Sequence, residues 1–394
     1  MFLNFGKKDG YEMGHGLMVG GDKVERLKIV FSSNTSFSLY NFRLGLMRRL
    51  KNLGYEVIAI APKDEYTDEL LKEGFKYFEV KNLSRKGKNP FNDLKLLWEY
   101  IRLFKKIKPD LVINYTIKPN IYGGLAGKIL GIPYINVVTG LGYVFVRGGA
   151  LAKLVKFLYW LSFRGSNFVV FQNTEDRKEL KGVIPENKVA EILGSGVNTE
   201  YFSPSQCKET EKDRFIFLFV GRFLRDKGIL ELVSAGKLLY QKRKDFEIWL
   251  LGGLDKGNPE SISNDELEKI EKLPFIQVLP FARDVRLFLC NCDCMVLPSY
   301  REGLPKSLLE AMAMGKTVIT TDAPGCREVC LNGVNGFLVK PKDIESLYRA
   351  MLEMLELSQE ERLKMGKEGK RLVEERFSEE IVIEKYLSLI KKIL

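Results

Sequence analysis

Short apolar, β-branched runs alternate with helix-like stretches through most of this chain, and that alternation narrows the folds open to it. From residue 27 the runs read LKIVFSS, YEVIAIA, DLVINYT, YINVVT, NFVVFQN and VAEILGSG. They are too continuously apolar for strands with one wet face, so they suit parallel strands covered on both sides. Stretches such as 41–53 and 90–107 fill the intervals with helical pattern. The resulting βαβ rhythm predicts a doubly wound α/β domain. After the polar, Ser- and Pro-containing segment 203–213 the rhythm restarts with RFIFLFVGR, FEIWLLGG, FIQVLPF, CMVLPS, TVITTD and GFLVK.

The 394 residues therefore divide into a loose N-terminal tail (1–26), a first Rossmann-like domain (27–203), a second (204–375), and a final apolar-periodic segment (376–394) expected to return to the first domain. In such an arrangement a ligand lies between the domains, outside the carboxyl ends of their strands.

Two motifs at predicted strand ends carry chemistry. In FVGRFLRDKG, Arg222 follows a buried strand and Lys227 stands five residues on, a guanidinium fork and an ammonium suited to a diphosphate. They could take over the leaving-group stabilisation that other enzymes assign to a divalent metal. In SYREGLPKSLLEAM, Glu302 falls in a loop after CMVLPS, and Glu310 falls in the second turn of a helix opened by Pro305. Gly303 permits close backbone approach, and the N–H groups around Gly303, Leu304, Pro305 and Lys306 can meet an anion at the positive helix end. Two carboxylates beside an anion pocket make sense if each accepts hydrogen bonds from sugar hydroxyls while Arg222 and Lys227 neutralise the phosphates.

GRFLRDKG, the E-x7-E stretch REGLPKSLLEAMAMGKTVITTDAPGCREV and NGVNGFLV resemble the nucleotide-sugar domain of family 4 retaining glycosyltransferases, which have the GT-B fold. The likeness runs from about Leu27 to the C-terminus and is most specific in the second half. It implies that Glu302 lies at the donor sugar, that Glu310 binds the nucleotide ribose, and that Arg222 and Lys227 bind the donor diphosphate. A donor hydrogen bond from the backbone near Phe281 and a preference for uridine over guanosine rest on the same analogy.

The first half, with NFRLGLMRRLKNLGYEV, IKPNIYGGLAGKILGIPYINVVTGLGYVF and GSGVNTEYF, is similar to the bacterial branch that extends undecaprenyl-diphosphate-linked sugars, N-acetylgalactosaminyltransferases among them. The implied acceptor side comprises Asn34, Thr139, Gly140 and Gly142. Many family members place a histidine near the donor sugar, whereas this chain has only His15, in the tail. A front-face retaining transfer, in which the departing diphosphate accepts the acceptor's proton, needs no such histidine. That mechanism is expected here, with no metal and no cofactor beyond the UDP-sugar donor.

Lys81 to Lys108 holds nine Lys or Arg against Asp93 and Glu99, a local net of +7 within a chain of formal charge +11. This is either a solvated helix face or a patch for an anionic partner. No nucleic-acid-binding signature accompanies it, so no nucleic-acid partner is expected. Segment 150–165, ALAKLVKFLYWLSFRG, is either a helix packed in its own domain or an interfacial segment with Tyr159 and Trp160 at headgroup depth. Together these stretches suggest a cytoplasmic protein peripheral on the inner face of the plasma membrane, reaching a lipid-linked saccharide acceptor.

The six cysteines, in a chain with no secretory signal, are expected as reduced thiols, and CNCDC (290–294) lacks the spacing of a zinc site. An NAD-type dehydrogenase shares the βαβ rhythm but is disfavoured, because no G-x-G-x-x-G follows the first strand of either half. A sugar-nucleotide epimerase or hydrolase, and a non-catalytic anionic-lipid binder, remain as competing readings.

Overall fold

The computed structural model describes residues 26–83, 90–141, 145, 149–207 and 213–394. Strands β1 (Lys28–Ser32), β2 (Glu56–Ala61), β3 (Lys76–Glu79), β4 (Leu111–Tyr115), β5 (Tyr134–Val138), β6 (Phe168–Phe171) and β7 (Val189–Glu191) form a parallel sheet ordered β3-β2-β1-β4-β5-β6-β7. A second parallel sheet, β10-β9-β8-β11-β12-β13, is built from β8 (Phe215–Arg222), β9 (Phe246–Gly253), β10 (Ile276–Leu279), β11 (Cys294–Leu297), β12 (Thr317–Thr321) and β13 (Gly336–Val339). The two-domain GT-B architecture expected from the sequence is the one observed.

Every residue of β4 and β5 is buried, as the unbroken apolar runs require. Successive side chains point to opposite faces: Ile29 and Phe31 enter one core with Leu111 and Ile113, while Val30 enters another with Val112. The first of these cores also receives Ile383, Tyr386 and Ile390 from the last helix, Glu379–Lys391. That helix therefore covers a face of the first sheet although it follows the second sheet in the chain.

The chain crosses between domains twice, and the crossings lie side by side. Ile192 belongs to the first core and Val197 to the second. Val197 donates from N–H to the Phe377 carbonyl at 3.0 Å and accepts from Glu379 N–H at 2.9 Å. Gly196, at φ +72°, lies so near that a Cβ there would sit 2.6 Å from the Glu379 Cα, so only glycine fits this crossing.

Two sequence expectations need correction. Cys207 and Cys290 form a disulfide, with Cα atoms 5.2 Å apart, instead of remaining thiols. The turn Pro204–Gln206 packs against helix Arg286–Asn291, which brings together two sulfurs 83 residues apart in sequence. The other four cysteines are buried thiols, and no group of Cys, His, Asp or Glu among the described residues could hold a metal ion. Tyr159 is not at the surface but 1% exposed, stacked on Phe163 at 4.5 Å inside its own domain.

Candidate active site

Strands β8 and β11 are neighbours in the second sheet, so the loops leaving their carboxyl ends must meet. The β8 loop turns through Arg225–Lys227 into Gly228, which has φ +71°. A Cβ on Gly228 would stand 2.1 Å from the Pro298 carbonyl oxygen, so glycine is what lets this turn lie against the end of β11. The Asp226 carbonyl accepts from Tyr300 N–H at 2.8 Å and from the Ser299 hydroxyl at 3.1 Å. Glu302 N–H donates to the Pro324 carbonyl at 2.9 Å. With the backbone tied on both sides, the Lys227 ammonium and the Glu302 carboxylate form a close ion pair. Their side chains are only 19% and 13% exposed, so water screens the pair weakly.

Arg222 stands at the end of the same strand but reaches elsewhere. Its guanidinium pairs with Asp255 at 2.5 Å, half-exposed, and does not join the Lys227–Glu302 pair. Burial raises the Asp226 carboxyl above the ordinary range, against the pull of Lys227.

Helix Lys306–Ala313 begins after Pro305, with no side chain capping it. Leu308 and Leu309 N–H turn back to the Pro305 carbonyl at 3.2 and 3.3 Å, so the orphan donors of this helix start are the amides of Lys306 and Ser307. Glu310 sits in its second turn, 14% exposed, with the Lys306 ammonium 3.7 Å away. Burial raises the Glu310 carboxyl and Lys306 opposes the rise. The Lys306 ammonium also donates at 2.5 Å to the carbonyl of Asn41, in the first domain's helix Ser36–Asn52, so this residue ties the domains together. Leu304 packs on the crossover: a Cβ on Gly194 would lie 2.6 Å from it.

The first domain closes over this loop. A Cβ on Gly303 would lie 2.0 Å from the Thr139 carbonyl oxygen, and one on Gly140 would lie 3.4 Å from the Gly303 backbone. Thr139 and Gly140 therefore face Gly303 directly, while Gly142 lies outside the described residues. Asn34 occupies the turn from β1 into the first helix, at the same carboxyl edge of the first sheet. Phe281 is an exposed residue of the loop after β10, from which Arg283 reaches Glu69 of the first domain at 3.3 Å.

Sequence reasoning missed three residues here. Arg301 pairs with Asp176, and the Asn173 side-chain amide donates to the Gly303 carbonyl at 2.9 Å. The only sequence signal was N-T-E-D after β6, which reads as a helix cap and nothing more.

Two family profiles divide the chain at the same cleft. "Glycosyl transferase 4-like" matches residues 28–173, and "Glycosyl transferases group 1" matches 205–372. The N,N'-diacetylbacillosaminyl-diphospho-undecaprenol alpha-1,3-N-acetylgalactosaminyltransferase of Campylobacter jejuni is 32% identical over 384 residues, spanning 93% of this chain and 99% of that one. The chain belongs to the group 1 glycosyltransferases. Another relative is the UDP-Gal:alpha-D-GlcNAc-diphosphoundecaprenol alpha-1,3-galactosyltransferase of Escherichia coli, 24% identical over 80% of this chain and 83% of its own. Among solved structures, Anabaena HepE in complex with UDP superimposes with a TM-score of 0.75 at 17% identity, covering 93% of this chain and all of that one. At that identity the likeness speaks for the shared fold alone.

Proposed function

We propose that this glycosyltransferase moves a sugar from a UDP-sugar to a polyprenyl-diphosphate-linked saccharide, with retention of anomeric configuration, in surface-glycan assembly. The observation that carries the reading is the largely buried Lys227–Glu302 pair, set opposite the Thr139–Gly140 backbone at the carboxyl ends of both sheets.

A donor diphosphate entering beside Lys227 takes over that ammonium and frees the Glu302 carboxylate to accept hydroxyls of the sugar. Arg222, exposed at the strand end, can turn from Asp255 to the phosphates, and the first-turn amides of Lys306–Ala313 add donors. The bond between the anomeric carbon and the β-phosphate oxygen breaks as the acceptor oxygen bonds the same face of that carbon. The acceptor's proton passes to the departing phosphate oxygen, and UDP leaves. Cations fixed before the reaction stabilise the charge that grows on the leaving group. In this reading Glu302 orients the sugar, Glu310 accepts the ribose hydroxyls and the backbone near Phe281 meets the base. The cations supply the charge, so added metal is not required. The names of the C. jejuni and E. coli relatives, both of which describe undecaprenol-linked acceptors, support the lipid-linked acceptor.

Such an acceptor lies in a membrane, and the first domain offers a surface for it. Phe91, Leu94 and Trp98 form one exposed stripe of helix Pro90–Ile107, and Leu154, Phe157 and Trp160 form another on helix Gly149–Phe163. Both helices pack on segment 119–123, with Lys95, Arg102 and Lys105 exposed along the first. This is the surface we assign to the inner leaflet, in the interfacial manner. Arg85, Lys86 and Lys88 lie outside the described residues.

Release of nucleoside diphosphate should be measured for a panel of UDP- and GDP-sugars, with and without undecaprenyl-diphosphate-linked saccharide and without added metal. Release that requires one UDP-sugar together with the lipid acceptor is the expected result. Acceptor-independent release would assign an epimerase or hydrolase instead, and a covalent glycosyl adduct on Glu302 would rule out the front-face course.

A further inference from the structure

One carboxylate at the cleft has no part in the chemistry above. Asp176, the third residue of helix Thr174–Glu179 in the first domain, has no exposed area. One of its oxygens takes the guanidinium of Arg301, from the second domain. The other accepts from Leu141 N–H at 3.2 Å and from the Asn173 amide at 3.0 Å. Asn173 in turn donates to the Gly303 carbonyl at 2.9 Å. The segment Arg301–Gly303, with Glu302 at its centre, is thus fastened on both flanks to the first domain.

Capping the short helix does not explain this carboxylate. The cap needs only the Asp176 N–H, which donates to the Asn173 side chain at 2.8 Å, and any residue supplies that group. The side chain is directed instead at two loops, the Thr139–Leu141 turn that touches Gly303 and the residue before Glu302. A carboxylate withdrawn from water is costly unless a cation meets it, and Asp176 meets only Arg301 among the described residues' ion pairs. Closure and pairing therefore depend on one another: parting the domains leaves both charges to be rehydrated.

We propose that Asp176 is a positioning residue that holds the two domains at their closed spacing through Arg301, and so presents Glu302 and Lys227 to the Thr139–Leu141 turn. The proposal rests on the reading of Glu302 as facing the donor sugar. Asp176 itself touches no substrate in this scheme.

The test compares the full chain with Asp176→Asn, Arg301→Gln and the double variant, by small-angle scattering, UDP calorimetry and steady-state transfer kinetics. Circular dichroism first establishes that each variant is folded. Breaking one charge-assisted contact should lower kcat roughly 10- to 100-fold. The UDP dissociation constant should stay within about twofold, because the nucleotide contacts lie in the second domain, and the radius of gyration should increase. The double variant should be no worse than the poorer single one, since both changes release the same latch. Losses that multiply, or an Asp176→Asn variant with wild-type scattering and wild-type kcat, would overturn the proposal. If the wild type turns over no donor, the functional reading fails by itself, and the scattering comparison still decides what Asp176 does. Should Asp176→Asn not fold, Arg301→Gln opens the same pair from the other domain and is judged by the same outcomes.

Discussion

Glu302 and Glu310 lie on one loop and helix, yet the fold treats them oppositely. Glu302 is met by the ammonium of Lys227, whereas Glu310 is enclosed and has only Lys306, 3.7 Å away, against its desolvation. Its carboxyl therefore titrates above the ordinary range. If the ionised form is what accepts the ribose hydroxyls, UDP affinity should fall as the pH drops through that raised value, beginning where a solvated carboxylate would still be charged. Calorimetry between about pH 8 and about pH 5 checks this. Glu310→Gln should bind UDP roughly tenfold or more weakly and lack this component of the pH dependence; the same slope in both proteins would leave Glu310 without the role. The residues within one contiguous motif were legible because loop, glycine and helix start follow each other in sequence. Asp176 and Asn173 were not, because their partners stand 125 and 130 residues away and only the folded cleft brings them together. The Lys306 ammonium shows the same limit: its contact with the Asn41 carbonyl, 265 residues away in the other domain, left no mark in the sequence.

Among elements, the central strands were easy to read because burial on both faces forces a continuous apolar run, whereas edge strand β3, with exposed Lys76 and Glu79 at its ends, offers no such run and was not read. The paired crossings were not, since the bond between Val197 and Phe377 joins segments that no local pattern relates. The last helix, Glu379–Lys391, illustrates what that pairing imposes. Its first residue lies against Gly45 of the first helix so closely that a Cβ there would meet the Glu379 carboxylate at 2.2 Å. Burial raises this carboxyl, while Lys306 and Arg48 pull it down. A carboxyl with a raised folded-state value binds its proton more tightly folded than unfolded. Its contribution to stability is thus fully present below the unfolded value and is lost as pH rises through the folded one. Denaturant unfolding across that window should show Glu379→Gln with a flatter stability profile than the wild type. An unchanged profile would mean that the carboxylate is hydrated at this helix start.

For the whole molecule, the surplus of basic charge and the apolar stripes fall on the same domain, the one opposite the motifs proposed to bind the nucleotide. No helix among the described residues is long and apolar enough to cross a membrane; the membrane contact proposed above is a surface one. Trp98, 69% exposed on one stripe, and Phe157, 55% exposed on the other, are large apolar side chains with area to lose there. Burying each in an interface contributes about 1.5–3 kcal/mol when complete, and the lysines add an attraction that salt screens. The chain should therefore sediment with vesicles containing about one-third anionic lipid at low salt and be partly released near 0.5 M salt, where the screening length is only about 4 Å. Trp98→Ala with Phe157→Ala should weaken binding roughly tenfold or more without altering UDP affinity, because the proposed nucleotide contacts belong to the other domain. Equal sedimentation of the double variant, or binding indifferent to lipid charge, would remove this face from the account and require the acceptor to be drawn to the cleft by another surface.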